Sequence, residues 1–230
     1  MKDKDIDEIL KQAAETPHSV DPSLLDRVSK SIEPSMQPVR ALPRGPVLTG
    51  GLVLICAAVA LLGAARAGFY GFEKLGSLER VLIFATLAIF AWLASTVYAG
   101  AMIPGSRSRV RAGTLMGTGC LALLAVFAMV FHDYQTTHFV AAGVVCLTVG
   151  LLHAIPAAIG IWLVLRRGFA VDPVAAGLAA GTLAGLAGVG MLELHCANFE
   201  APHIMLWHTA VIPISAAAGA LLAWAFHRRA

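Results

Sequence analysis

Six stretches of about 20 apolar residues recur along this chain, and they leave it little choice of fold. They run roughly Pro46–Ala65, Val81–Ile103, Ala112–Phe131, Phe139–Leu165, Val174–Leu194 and Ile204–Phe226. A helix rises about 1.5 Å per residue, so each stretch can cross about 30 Å of hydrocarbon. In lipid every backbone N–H and C=O must find its partner inside the protein, which leaves helices and closed barrels. Continuous apolar runs, without strand-like alternation, select helices. The sequence therefore predicts an all-α protein, a polytopic membrane bundle of about six transmembrane helices behind a short helical tail. Only 13% of its residues are charged, against about 25% in a soluble domain.

Charge marks the one clear boundary. Residues 1–45 hold 8 of the 14 acids and 7 of the 17 Lys and Arg. They are read as a tail, and residues 46–230 as the transmembrane domain. The first apolar run begins near Val47, behind this long acidic segment, which is not the layout of a cleaved leader. Arg107, Arg109 and Arg111 follow the second run, Arg166 and Arg167 the fourth, and Arg228 and Arg229 the sixth. The opposite side carries only Arg66, Lys74 and Arg80. The positive-inside bias then predicts a multi-pass membrane protein with both termini cytoplasmic. A net charge of +3 without a basic run excludes a nucleic-acid surface.

The tail is polar but patterned. Ile6, Ile9 and Leu10 share one helical face, with Asp3 or Asp5 as cap. Asp21-Pro22 is a second start, an acceptor at the N-cap followed by proline in the first turn. Leu24, Leu25, Val28 and Ile32 form the next apolar stripe. Two short helices cannot build a core alone, so these faces need each other, the membrane surface or a protein. Surface-seeking helices carry basic faces and aromatics. This tail has acids and no aromatic before Phe69, which favours a soluble protein partner gripped helix-in-groove over a loosely ordered tail.

One membrane face collects most of the remaining ionisable groups. His132, Asp133 and His138 follow the third run; Glu193, His195, Cys196, Glu200 and His203 follow the fifth, with His208 about a turn into the sixth. Imidazole and thiolate suit zinc or another soft divalent metal. His195, Cys196, His203, His208, His132 and His138 are the candidate metal ligands, although they match no standard metal frame. The alternative is a set of helix caps and interface anchors around Trp207. Cys146 lies two turns inward and can reach Cys196. His153 pairs with a carbonyl freed by Pro156, or with His208 around a haem. Gly177, Gly181 and Gly185 recur every four residues, for packing within the bundle, for a homodimer or for a movable seam.

Catalytic signatures are missing: there is no Ser/His/Asp constellation, phosphate loop or HExxH, so no enzyme is expected. Asp172 and Glu193 stand at helix ends, and the lack of a midplane carboxylate weighs against a metal-ion or solute transporter subunit. A haem or quinone redox protein and a purely structural subunit are the other readings.

The segment Val20-Asp21-Pro22-Ser23-Leu24-Leu25-Asp26-Arg27-Val28, then Pro38-Val39-Arg40-Ala41-Leu42-Pro43, resembles the tail of NrsF-like membrane anti-sigma factors. So do Glu193-Leu194-His195-Cys196, Pro202-His203-Ile204 and Trp207-His208. The resemblance implies a membrane-anchored negative regulator that sequesters an extracytoplasmic-function sigma factor. Ile6–Ala13 and Leu24–Ile32 would bind the partner, and a stress signal, a metal or an oxidant, would release it through Cys196. Sensing in that family goes with a cysteine pair, so Cys146 would have to serve as the second thiol.

Overall fold

The computed structural model describes residues 8, 11, 21–33, 43–103, 110–166, 168 and 170–228. The chain divides into two units, Met1–Ala41 and Leu42–Ala230. In the first, α1 (Pro22–Ile32) starts at Asp21, whose carboxylate accepts hydrogen bonds from the backbone N–H and the hydroxyl of Ser23. Pro22 occupies the first turn, where its missing N–H has no partner to lose. Those bonds hold the Asp21 carboxyl below its ordinary range. Leu24, Leu25, Val28 and Ile32 are 45–57% exposed along one side. Ile6, Ile9 and Leu10 lie outside the described residues.

Among its described residues the second unit has six helical runs long and apolar enough to cross a membrane, and the chain is a multi-pass membrane protein. They are α2 (Gly45–Ala67), α4 (Ser77–Ala101), α5 (Ala112–Val130), α6 (Phe139–Leu165), α7 (Pro173–His195) and a compound span. The compound span joins α8 (Ala201–His203), a π-helical turn (Ile204–His208) and α9 (Thr209–His227). The loop after α2 carries a short helix, α3 (Tyr70–Lys74). Among the described residues there is no strand, only an isolated parallel bridge between Asp133 and Glu200.

Helix α7 is the axis of the bundle. Of its most apolar window 72% is buried, against 22–39% in the other five spans. It touches all of them. Its sequence explains how: alanine and glycine fill most positions from Ala175 to Gly190, and small side chains let neighbouring backbones approach. The glycine stripe faces α9. A Cβ on Gly177 would collide with the carbonyl of Gly219, and one on Gly181 with that of Ser215. One on Gly185 would stand 2.8 Å from Cα of Ile212. The larger apolar side chains of the surrounding helices, such as Leu54, Leu121, Ile155 and Leu221, point outward and are exposed, as a lipid-facing surface requires.

Backbone contact at Gly181 leaves no room for relaxation. Gly181→Leu is expected to cost at least the ~1–3 kcal/mol typical of overpacking, read as a lower unfolding temperature of the detergent-solubilised protein. Gly117→Ala is the control, since a Cβ there meets nothing within 4 Å, and the midpoint should hardly move.

Candidate functional site

Four side chains converge at the end of the bundle away from the C-terminus. Cys146 lies two turns into α6, Cys196 caps the end of α7, His203 ends α8 and His208 ends the π-helical turn. Their ligand atoms all lie within 4.8 Å of one another. The sulfurs of Cys146 and Cys196 are 3.5 Å apart, and Sγ of Cys196 is 3.7 Å from Nε2 of His203. The rings of His203 and His208 meet edge-on with centroids 5.4 Å apart. Both thiols are free; Cys196 and the two histidines are buried, Cys146 half-buried. Contact with Cys146 and burial hold the Cys196 thiol above its ordinary range, against a downward pull from His203 and His208.

The π-helical turn makes this convergence possible. In an α-helix, residues five apart diverge by about 140°, because each step turns about 100°. A π turn closes i to i+5 and brings such residues toward one side. His203 and His208 are five apart, a spacing that looks meaningless while the segment is read as ordinary helix.

A carboxylate stands behind His208. Its Nδ1 is 2.6 Å from Oε1 of Glu193, and the two side chains are 1% and 2% exposed. A carboxylate accepts, so Nδ1 carries the hydrogen. Nε2 of His208 is then left buried without a hydrogen-bond partner among the described residues. Glu193 therefore sits in the last turn of α7, at the helix end the sequence reading gives it, but sealed in the bundle instead of open at the membrane face. The apolar window of α7 hides this carboxylate from composition alone.

Neighbouring loops hold the cluster in place. The backbone of α3 packs directly on the end of α7: a Cβ on Gly71 would stand 2.6 Å from the carbonyl oxygen of Cys196 and 2.7 Å from that of Glu193. Lys74 donates to the Ala197 carbonyl at 3.4 Å. Across from it, Ala201 N–H donates to the Asp133 carbonyl at 2.6 Å, and Thr137 N–H to the Glu200 carboxylate at 3.2 Å. Asp133 and Glu200 thus act as loop staples.

The other expected ligands stand apart from this cluster. His195 donates from Nδ1 to the Gly68 carbonyl at 3.0 Å and packs its ring on Tyr70. His132 turns Nδ1 to the Val130 carbonyl, and His138 takes a left-handed conformation (φ 53°) at the N-cap of α6. These three histidines bond or cap at helix ends and loops, and Cys146 stands in the cluster instead. His153 bonds the Val149 carbonyl at 2.9 Å and not the Leu152 carbonyl that Pro156 frees. Its ring lies against Gly63 of α2, in different surroundings from the ring of His208.

A family model described as NrsF, negative regulator of sigma F, matches residues 33–228. That is most of the chain, and the chain belongs to this family of negative regulators of a sigma factor. No curated protein and no solved structure matches it. The match starts directly after α1, so the apolar stripe Leu24 to Ile32 lies ahead of it.

Removing one member of a buried charged pair strands the other. Glu193→Leu is expected to destabilise the solubilised protein by about 3–5 kcal/mol. Glu193→Gln, which still accepts the Nδ1 hydrogen of His208, should cost much less. Thermal unfolding of the two variants side by side checks this.

Proposed function

From membership of the NrsF family we propose that this chain holds an extracytoplasmic-function sigma factor inactive at the bacterial inner membrane and releases it when a stress signal arrives. The observation that carries the reading is the exposed stripe Leu24, Leu25 and Val28 on a capped helix that lies outside the membrane unit. Exposed apolar side chains on a helix are what a helix-in-groove partner buries. Asp26 and Lys30 flank the stripe and pair at 2.8 Å, with their heads open to solvent, so they add solubility and register more than affinity. The first tail segment, with Ile6, Ile9 and Leu10, is assigned to the same partner.

The Lys and Arg bias supports a cytoplasmic tail and C-terminus, on the side of the transcription machinery. The cysteine–histidine cluster is then on the extracytoplasmic side, where it receives the signal. Two thiols within reach of each other suit either an oxidant or a soft metal. A signal at that end acts by favouring one packing of the helix ends over another. Cys196 and Glu193 touch α3, and α7 touches every other span, so a shift at the cluster is felt through the bundle.

Affinity purification of the full-length protein from its own membranes should recover a sigma factor. Leu25→Glu and Val28→Glu should each lose most of it while membrane insertion is kept. Equal recovery from both variants would sink the assignment of the tail. For the signal, a metal salt or diamide added to intact cells should release the partner from the native protein. A Cys196→Ser variant that responds normally removes Cys196 from the sensing role.

A further inference from the structure

We propose that Cys146, Cys196, His203 and His208 are the four ligands of a closed, zinc-type metal site, and that Glu193 is the positioning residue that aims His208 into it. The site stands on the geometry of the cluster; only its effect on the sigma factor rests on the function proposed above.

The distances fit a tetrahedron. With metal–sulfur bonds of about 2.3 Å and metal–nitrogen bonds of about 2.0 Å, two sulfurs stand about 3.8 Å apart and a sulfur and a nitrogen about 3.5 Å. The Cys146–Cys196 sulfur separation is 3.5 Å, and that from Cys196 to Nε2 of His203 is 3.7 Å. The remaining ligand atoms lie within 4.8 Å, so side-chain adjustment alone closes the set. Two thiolates and two imidazoles select a soft or borderline ion over calcium or magnesium, which take oxygen ligands. Four protein ligands leave no open position, the pattern of structural and not catalytic zinc.

A disulfide alone would not account for the rest of the cluster. It would use the two sulfurs and leave His203, His208 and Glu193 without a purpose. His208 is the telling group. Its Nδ1 is committed to Glu193 at 2.6 Å, and its Nε2 is buried with no hydrogen-bond partner among the described residues. Histidine ligands characteristically present one nitrogen to the metal while the other donates to a carboxylate, which fixes tautomer and ring direction. Glu193 and His208 already hold that arrangement.

Binding forms two metal–sulfur and two metal–nitrogen bonds and breaks two S–H bonds, whose protons leave to water. The Nε2 proton of His208 leaves as well when that ring is charged, the Nδ1 hydrogen stays on the ring and is donated to Glu193, and the ion sheds the waters that the four ligands replace. No oxidation state changes. The bound ion ties α6, the end of α7 and the start of the compound span into one unit, which are the elements the cluster draws on.

The test uses reduced, chelator-treated full-length protein in detergent, titrated with Co²⁺ as a spectroscopic stand-in for zinc. The expected result is one ion per chain, with the strong visible bands of four-coordinate cobalt and a near-ultraviolet thiolate-to-cobalt band, both bleached by Zn²⁺. Cys146→Ser and Cys196→Ser should each weaken the thiolate band, and His203→Gln and His208→Gln should each weaken affinity. Glu193→Gln should lower affinity about 10–100-fold while the bands keep their positions, with helix content by circular dichroism confirming that it folds. No thiolate band in the native protein overturns the proposal without any variant. Native affinity in both histidine variants overturns the ligand set, and native affinity in Glu193→Gln overturns the positioning role. Sigma-factor release is read separately. A protein that binds cobalt but keeps its partner on metal addition supports the site and counts against the signalling reading. One that releases its partner to an oxidant yet never binds cobalt sinks the site and leaves that reading intact.

Discussion

The close backbone packing of α7 is the constraint on which the rest of this bundle depends. In lipid, apolar side chains gain nothing by leaving one hydrocarbon environment for another, so helices associate through fit and hydrogen bonding. A helix built largely of alanine and glycine offers that fit on every side. Gly177, Gly181 and Gly185 bring α9 to backbone contact, and a Cβ on Gly188 would collide with the Gly150 carbonyl of α6. Cys56 of α2 points its thiol at the Leu183 carbonyl, 3.7 Å away. With α7 central, its last turn becomes the floor on which residues from α3, α6 and the compound span assemble.

That floor carries a polar group that lipid would not tolerate elsewhere. A carboxylate and an imidazole, both almost fully buried, stabilise the fold only as a pair, because each alone has lost its water. The Glu193–His208 contact is therefore better understood as a device for direction than as a source of stability. It commits Nδ1 of His208 to the carboxylate and so sets the direction of the ring. The staples around it, Asp133 with Ala201 and Glu200 with Thr137, serve the same end by holding the loop that carries His203. The two candidate regions thus have opposite physical characters. The tail stripe is open and accessible, while the cluster is largely buried.

Some of this was legible in the chain itself and some was not, for identifiable reasons. The start of α1 at Asp21-Pro22 was readable because capping is a local matter of one acceptor side chain and one proline. Cys196, His203 and His208 stood out as soft ligands by residue type. Which of the histidines would join them did not, since His132, His138 and His195 look the same in sequence and are diverted by nearby carbonyls and a left-handed turn. The five-residue spacing of His203 and His208 gained sense only from the π-helical turn. Glu193 passed as a helix-end residue because nothing local says that its neighbour in space is His208, fifteen positions away.

What the sequence determined by itself was the solvent and the class of fold. Six long apolar runs admit only helices in a membrane, and the shift in charge near residue 45 separates a tail from them. Those conclusions need no knowledge of which helix touches which. The identity of the central helix, the direction of the glycine stripe and the membership of the cysteine–histidine cluster were decided by tertiary structure alone. Each depends on contacts between residues distant in the chain, such as Cys146 with Cys196 and Gly71 with the end of α7. Periodicity and composition describe one helix at a time, whereas a site built from the ends of three spans exists only once those spans have packed.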